Sequence, residues 1–264
     1  MEPSKELLEE IERVKVWHHR IDLGGTITPG LQDTNQVLAD IGLPESLHNQ
    51  DVLDLGARDG FFSFECERRG ANRVVALDYV PSSMTGFDLC KRVLGSSAEW
   101  ANANVYQIGS RFPESSFDVV LFLGLIYHLR HPLLALDRIH NVLKPGGVLL
   151  IESHLIDEGL VDASGAWSRL DDYGERLSSF ALAQFYTDSQ LGNDPTSPWA
   201  PNLQGLLAVV RAAGFEVLSS WRNSFRGGCT ARKIELPANH PKYIDVAESF
   251  DMHGNWRIER PGAI

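Results

Sequence analysis

Short apolar runs alternate with amphipathic segments along most of the chain, which is the pattern of an α/β protein. Nearly continuous runs of Val, Leu, Ile and Phe are typical of parallel strands that are buried on both faces of a sheet. These runs, together with some less continuous apolar stretches, predict strands at 52–55, 74–78, 99–105, 117–124, 148–152, 215–218 and 229–236. The pattern therefore predicts a doubly wound sheet of seven strands, the last of which we expect to be antiparallel.

The strongest local signal is a strand, a glycine-bounded turn, a helix and a second strand between Val52 and Asp78. The turn at 56–60 has the sequence Gly-Ala-Arg-Asp-Gly, and the second strand ends on the carboxylate of Asp78. A carboxylate about 20 residues beyond such a turn is placed to bind the hydroxyl groups of a ribose. The stretch therefore predicts half of a nucleoside-cofactor site.

The residues of the turn indicate which nucleoside binds. In a dinucleotide site the second glycine of the turn lets the backbone approach a pyrophosphate, but Arg58 stands at that position here. Asp54 leads into the same turn, where its negative charge would repel a pyrophosphate and attract the ammonium group of an amino acid. S-adenosylmethionine (SAM) carries such a group and is the predicted cofactor.

On these residues the chain resembles the class I SAM-dependent methyltransferases, whose first motif is a D-x-G-x-x-x-G turn after the first strand. A Leu-Lys-Pro-Gly-Gly turn at 143–147, in front of a predicted strand, is a second hallmark of that family. The resemblance implies a Rossmann-like fold in which Gly56 and Gly60 admit the methionine end of SAM. It also implies that Asp54 orients this end, and that Asp78 holds both ribose hydroxyls.

Two further positions are assigned to the cofactor through the same resemblance, which covers about residues 50–155. Asn104 follows the third predicted strand, where family members usually place an aspartate on the adenine amino group. An asparagine carbonyl can also accept that hydrogen. Leu123 ends the fourth predicted strand. Arg58 departs from the family's middle glycine, so the turn must be wider than usual or Arg58 must point away from the cofactor.

A stretch with two histidines follows the fourth predicted strand. Ligands of open α/β sheets bind at the carboxyl ends of the strands, so Tyr127, His128 and Arg130 should face the chemistry. The segment 124–132 resembles the Gly-x-x-Tyr-His-x-Arg-x-Pro stretch of the wobble-uridine tRNA carboxymethyltransferases and their small-molecule methyltransferase relatives. His128 is the first candidate for a general base, and Tyr127 and His18 are the other catalytic candidates. In the alternative, the His128 ring only satisfies a loop carbonyl.

An amphipathic helix is predicted near the start of the chain, because apolar residues recur at helical spacing over 4–16. The loop that follows, 17–30, is dense in aromatic and ionisable residues and contains glycines that let it bend, so it could close over a cofactor. In the alternative, Trp17 packs on the core and leaves His18 and His19 in solvent.

The long segment between the fifth strand and the next helix is a candidate substrate cap, since enzymes of one fold diversify their specificity in such insertions. In the alternative it is an elaborated edge that buries its aromatics against the sheet. We predict an N-terminal helical lid segment at 1–50, a core at 51–236 with the cap inserted at about 155–200, and a C-terminal extension at 237–264. The residues assigned to the acceptor pocket are Trp17, Arg20, Arg130, Phe185, Tyr186 and Trp199.

Composition limits the partners. The net charge of −11 argues against a broad surface for polyanions, which needs clustered Lys and Arg, so nucleic acid is disfavoured. The three cysteines are an odd number, and neither they nor the histidines show metal-ligand spacing, so no metal is predicted. The start of the chain lacks the order of a signal peptide, and the longest apolar run, 119–127, is too short to span a bilayer. We therefore expect a cytoplasmic protein with free thiols and no membrane contact, while its oligomeric state stays open.

Three functions compete at this point. The first is O- or N-methylation of a small molecule by in-line displacement, for example in natural-product tailoring. The second is methylation or carboxymethylation of a tRNA wobble uridine, which the resemblance at 124–132 favours. The tRNA enzymes carry a larger N-terminal portion, so we expect plain SAM, not its carboxylated form, to be the donor here. The third is a non-catalytic cofactor-binding subunit, although such a subunit would not need Asp54, Gly56, Gly60 and Asp78.

Overall fold

The computed structural model describes residues 4–32, 34–174 and 176–236. The predicted extension at 237–264 lies outside these residues. The helices of the described part are α1 (Lys5–Arg13), α2 (Thr34–Asp40), α3 (Phe61–Arg68), α4 (Phe87–Leu94), α5 (Ile108–Arg111), α6 (Pro132–Val142) and α7 (Leu203–Ala212). The strands are β1 (Asp51–Leu55), β2 (Arg73–Asp78), β3 (Glu99–Asn102), β4 (Phe117–Leu123), β5 (Leu143–His154), β6 (Gly159–Val161), β7 (Trp167–Arg169), β8 (Ala183–Phe185), β9 (Trp199–Pro201), β10 (Phe215–Asn223) and β11 (Arg226–Lys233).

Seven of these strands form one mixed sheet in the order β10-β11-β5-β4-β1-β2-β3. The pairs from β5 to β3 are parallel, whereas β11 runs antiparallel to both β5 and β10. This arrangement confirms the predicted Rossmann-like fold with an antiparallel last strand. The order of strand addition reverses between β1 and β4, and such a reversal opens a crevice at the carboxyl ends of the strands.

Apolar side chains pack against both faces of the central strands. Leu53 and Leu55 of β1 belong to one buried cluster, while Val52 of the same strand belongs to a second cluster on the opposite face. Strand β4 alternates in the same way, with Val120 in the first cluster and Val119 in the second. Burial on both faces explains why these strands appear in the sequence as nearly continuous apolar runs.

Tertiary contacts shape two local features. Helix α4 begins at Phe87, and the backbone N–H of the preceding Gly86 donates to Asp59 Oδ1 at 2.9 Å. The turn at 144–147 lies inside β5, opposite Asp118, where the register with β4 shifts. Lys144 Nζ lies 2.6 Å from Asp118 Oδ2, so an ion pair holds this irregular stretch against β4.

The N-terminal helix α1 is capped by Ser4, whose hydroxyl accepts a hydrogen bond from Leu7 N at 3.2 Å. After the helix, Trp17 is buried and its Nε1 donates to Ile11 O at 3.0 Å. A Cβ atom at Gly86 would overlap the Trp17 indole. Trp17 thus packs on the core, as the alternative reading of this loop had it, but His19 is buried as well instead of lying in solvent.

The inserted segment at about 155–200 forms two short hairpins, β6-β7 and β8-β9. Tyr186 and Trp199 belong to the apolar core, whereas Phe185 is 78% exposed. For Tyr186 and Trp199 the insert behaves as an elaborated edge. None of the helices in the part of the chain that the structure describes is long and apolar enough to cross a membrane.

Candidate active site

A cavity of about 930 Å³ opens at the carboxyl ends of β1, β2 and β4. Its volume lies near the upper end of the range for small-molecule sites, which is about 300–1,000 Å³. Nine of the residues predicted from sequence line it: His18, Asp54, Gly56, Asp78, Asn104, Leu123, Tyr127, His128 and Arg130. The structure thus brings residues from five separate parts of the chain to one space.

Asp54 sits near the end of β1 with its side chain buried. Its Oδ2 accepts a hydrogen bond from Ser63 Oγ at 2.6 Å. Burial, with a smaller effect from the nearby Asp78 carboxylate, raises the pKa of Asp54 to about 7. A positive charge nearby would stabilise the ionised form of such a buried carboxyl group. Gly56, with φ of 76°, lines the cavity beside it.

Asp78 ends β2 and is likewise buried. Its Oδ1 accepts from Val80 N at 2.9 Å and its Oδ2 from Arg58 N at 3.1 Å. These bonds fix the carboxylate, and each oxygen keeps a second lone pair for a ligand. Two adjacent oxygens with free acceptor capacity match the vicinal hydroxyls of a ribose.

Arg58 stands where the family has a glycine, and it adopts the left-handed conformation of that glycine, with φ of 48°. Its Nε lies 3.9 Å from Asp78 Oδ2, and its guanidinium lies 5.6 Å from the centre of the Tyr79 ring. The side chain lines the cavity, so it does not point away as one of our two expectations required. It covers the ribose end of the cavity.

Asn104 lies at the expected turn, and its Oδ1 accepts a hydrogen bond from Tyr106 N at 3.0 Å. That bond caps the short turn at 105–107 and leaves one lone pair on the oxygen. Leu123 is half-buried at the end of β4. Contact of either residue with the adenine stays a prediction.

His128 is oriented by the inserted segment. Its Nδ1 lies 3.0 Å from Thr196 Oγ1, 3.3 Å from Thr196 O, 3.3 Å from Ser197 Oγ and 3.7 Å from Asp194 Oδ2. The Thr196 and Ser197 hydroxyls donate to Asp194 at 2.6 and 3.2 Å, and a carbonyl oxygen can only accept. We therefore assign the proton to Nδ1, which leaves the lone pair on Nε2. Burial is the main cause that lowers the pKa of His128. The ring is therefore neutral near pH 7, in the form that a general base requires.

Beside His128 lies a polar cluster that the sequence analysis missed. Arg226 on β11 forms a two-pronged ion pair with Glu152 on β5, and its Nη1 donates to the Tyr127 hydroxyl at 3.1 Å. All three residues line the cavity. Glu152 could have been noticed, since it ends a predicted strand at the reactive edge. Arg226 gave no signal, because its partners lie 74 and 99 positions away in the sequence.

Several predicted residues do not line the cavity. Gly60 serves packing, because a Cβ there would lie 2.6 Å from the Phe87 ring and 2.8 Å from the Phe64 ring. Arg20 is used on the loop itself, where its Nε donates to Gly30 O at 3.0 Å. The others are Trp17, Phe185, Tyr186 and Trp199, of which three are buried in the core and one is exposed. The insert reaches the cavity through Asp194 and Thr196, whereas its predicted aromatic residues do not line it.

The position of Trp199 gives a stability prediction. Its ring is buried, and its Nε1 donates to Leu129 O at 2.8 Å. We expect Trp199→Ala to lower the free energy of unfolding by about 3–5 kcal/mol, through the cavity that it leaves. The exposed Phe185 on the same hairpin is the matched control, and Phe185→Ala should change it by less than about 0.5 kcal/mol. Urea denaturation measures both, and equal small effects would contradict the core position of Trp199.

Among residues 4–32, 34–174 and 176–236, the structure contains no group of three or more His, Cys, Asp or Glu side chains arranged to hold a metal ion.

Comparison with known proteins gives one family and a set of distant structures. A family model described as a methyltransferase domain matches residues 33–220. The tRNA U34 carboxymethyltransferase of Shewanella piezotolerans is 31% identical over 113 residues, which make up 42% of this chain and 33% of that protein. The chain thus spans about a third of the length of the curated relatives it matches.

Two solved structures illustrate the fold. The 1,6-didemethyltoxoflavin-N1-methyltransferase of Burkholderia thailandensis, with 1,6-didemethyltoxoflavin and S-adenosylhomocysteine bound, matches with a TM-score of 0.52 at 21% identity, over 77% of this chain and 83% of that one. The N-terminal domain of EvdMO1 with S-adenosylhomocysteine bound matches with a TM-score of 0.58 at 16% identity, over 89% and 98%. At such low identity these matches show a shared fold.

The family match and the cavity agree. The matched range covers more than half of the chain and includes the turn at 56–60, Asp78 and His128. The residues present also fit the cofactor, because the buried Asp54 carboxylate lacks a cation that the ammonium group of SAM would supply, and Asp78 has acceptors for its ribose. The chain therefore belongs to the methyltransferase-domain family, and SAM is the cofactor that the residues of its cavity fit.

Proposed function

We propose that this enzyme methylates an oxygen or nitrogen atom of a small polar molecule. The observation that supports this most is the single cavity, in which the cofactor carboxylates Asp54 and Asp78 share one space with His128. The volume of about 930 Å³ suits a nucleoside cofactor together with an acceptor of modest size. The insert at about 155–200 acts as the cap of this acceptor site through Asp194 and Thr196.

The chemistry follows from this placement. SAM supplies an electrophilic methyl group on its sulfonium, which reacts by in-line displacement. The protein has to hold the acceptor atom opposite the sulfur and keep water away, and such positioning supplies much of the rate. His128 Nε2 removes the proton of a hydroxyl or ammonium acceptor, which adds about 10²–10⁴ in rate.

The lining residues support a polar acceptor. Tyr127, Arg226 and Glu152 present a hydroxyl, a guanidinium and a carboxylate next to His128. Such groups recognise an acceptor that has hydroxyl, amine or carbonyl substituents. Tailoring of a natural product is one setting for this reaction, and the Burkholderia neighbour is named as an N1-methyltransferase of a small heterocycle.

A second candidate is methylation or carboxymethylation of a tRNA wobble uridine. The tRNA U34 carboxymethyltransferases among the relatives favour it. Against it stands the net charge of −11, since an excess of carboxylates repels a phosphate backbone. We therefore rank it below the small-molecule reaction and take plain SAM as the donor.

Two measurements decide between the candidates. Mass spectrometry of the nucleoside that co-purifies with the protein identifies the donor, and we expect SAM or S-adenosylhomocysteine without an added carboxyl group. Transfer of a labelled methyl group from SAM is then measured into unmodified tRNA and into a library of small hydroxyl and amine compounds. Label in the small-molecule fraction alone supports the proposal. Label in tRNA, or a carboxylated co-purified nucleoside, reverses the ranking.

The buried Asp54 predicts a pH-dependent cofactor affinity. In the free protein the pKa of Asp54 is raised to about 7, whereas the ammonium group of the ligand binds the ionised carboxylate. Below pH 7 binding must therefore expel a proton, so S-adenosylhomocysteine affinity should fall by up to about tenfold per pH unit, and it should level off above pH 7. Calorimetry from pH 5.5 to 8.5 measures this.

Two controls isolate the carboxyl group. Asp54→Asn should bind more weakly at pH 8 but with a flat pH profile. Methylthioadenosine, which lacks the amino-acid part, should bind the unaltered protein independently of pH. A flat profile for S-adenosylhomocysteine with the unaltered protein would mean that Asp54 does not face the ammonium group.

A further inference from the structure

His19 is a buried residue of the N-terminal loop that lines the methionine end of the cavity, defined here by Asp54, Gly56 and Phe62. Its ring lies 5.6 Å from the Phe62 ring, edge to face, and only 6% of the residue is exposed. No sequence motif pointed to it as a ligand. His19 and Asp54 line the same cavity, so the imidazole can contact a ligand that Asp54 binds.

The backbone holds His19 in place from several sides. Asp59, which is fully buried, accepts hydrogen bonds at its Oδ2 from His18 N at 2.6 Å and from His19 N at 2.9 Å. The Thr28 hydroxyl donates to His19 O at 2.7 Å, and a Cβ atom at Gly30 would overlap the His19 backbone. Asp59 belongs to the cofactor turn itself, so the loop and the turn form one rigid wall.

The protonation of the ring follows from its surroundings. Burial lowers the pKa of His19 to about 4, so the ring is neutral and carries one N–H. Its Nδ1 is buried with no hydrogen-bond partner among the described residues. A proton on that atom would be a buried unpaired donor, which proteins avoid. We therefore assign the proton to Nε2, the second nitrogen of the ring.

The methionine part of SAM carries an ammonium and an α-carboxylate, and Asp54 accounts only for the ammonium. The backbone donors of the turn are largely used, because Gly56 N and Ala57 N bond to Leu77 O at 2.8 and 3.2 Å. Arg58 N is likewise taken by Asp78. The α-carboxylate therefore needs a side-chain donor at this end.

We infer that His19 is a cofactor-binding residue whose Nε2–H donates a hydrogen bond to the α-carboxylate of SAM. A neutral donor suits this place, since a cation there would compete with the ammonium group for Asp54. The inference rests on the cofactor alone and holds whatever the acceptor is. On this inference the N-terminal loop contributes one residue, His19, to the cofactor site.

The test compares two isosteric replacements in the full chain. The amide nitrogen of His19→Gln can reach the position of Nε2, whereas that of His19→Asn reaches only the position of Nδ1. Calorimetry measures three ligands with each protein: S-adenosylhomocysteine, its decarboxylated analogue, and methylthioadenosine. We expect His19→Asn to bind S-adenosylhomocysteine about 10- to 100-fold more weakly and the two ligands without a carboxylate less than about threefold more weakly. His19→Gln should retain most of the affinity.

The ratio of affinities for S-adenosylhomocysteine and its decarboxylated analogue is taken within each variant, so a partly unfolded sample does not distort it. An unchanged ratio in His19→Asn overturns the inference, whether the affinities for all ligands fall equally or none falls. The carboxylate then makes no contact with the residue. Failure of the unaltered protein to bind S-adenosylhomocysteine would overturn the cofactor assignment, which is a different result.

Discussion

Replacing His128 with alanine is expected to lower kcat by about 10²–10⁴, the usual contribution of a general base, while cofactor affinity stays nearly unchanged. The reason is geometric: the contact with Thr196 O favours a proton on Nδ1, and in our proposal the Nε2 lone pair faces the acceptor. Steady-state kinetics with the acceptor, and calorimetry with S-adenosylhomocysteine, separate the two effects. A similar loss of cofactor affinity would place His128 in the cofactor site instead.

The pH profile of kcat tests the same role from another side. Burial lowers the pKa of His128 from its ordinary value, so the base is fully available at neutral pH. Its activity should be lost only when the pH falls through that lowered pKa. His128→Gln, which keeps a polar side chain without a titrating group, should lack this acidic limb. Full turnover of His128→Ala at every pH would show that the ring is structural and that positioning of an already nucleophilic acceptor carries the reaction.

Replacing Asp78 with alanine is expected to weaken the binding of S-adenosylhomocysteine by about 10²–10⁴. Two hydrogen bonds from the ribose hydroxyls to a charged acceptor are lost, each contributing about 1.5–3 kcal/mol. Calorimetry measures the change. Unchanged affinity would remove Asp78 from the cofactor site.

The controls for Asp78 account for its structural bonds. Its carboxylate also accepts from Arg58 N and Val80 N, so Asp78→Ala loosens the turn as well as the ligand. Asp78→Asn keeps the shape and should fall between the two proteins. An analogue without the 2′ and 3′ hydroxyls should bind the unaltered protein and Asp78→Ala with nearly equal affinity. A large difference for that analogue would mean that the loss comes from the turn, not from the ribose contacts.

The cofactor half of the site could be predicted because its parts are close in sequence. Strand β1, the glycine turn and β2 form one continuous unit, and the hydrophobic pattern determines which ends of the strands meet. Asp54, Gly56 and Asp78 therefore had to lie near one another once the fold was recognised. The same local pattern placed Tyr127 and His128 at the edge of β4.

The acceptor half could not be predicted in the same way. Arg226 reaches Tyr127 across 99 positions, and a lone arginine before a strand gives no periodic signal. The aromatic residues were ambiguous for a physical reason: a large ring gains as much from the core as from a ligand. Trp199 therefore fills the core, and the less conspicuous Asp194 and Thr196 reach the cavity.

The sequence by itself determined the fold, the cofactor class and the edge of the sheet where the chemistry lies, because periodicity and glycine-bounded turns act over a few residues. Only the tertiary structure decided which groups surround His128 and which residues of the N-terminal loop line the cavity. Asp59 shows the difference. In the sequence it is one polar residue of a turn, but in the fold its carboxylate accepts three backbone N–H groups, from His18, His19 and Gly86. A buried carboxylate needs such partners, and only the packing of distant segments can supply them.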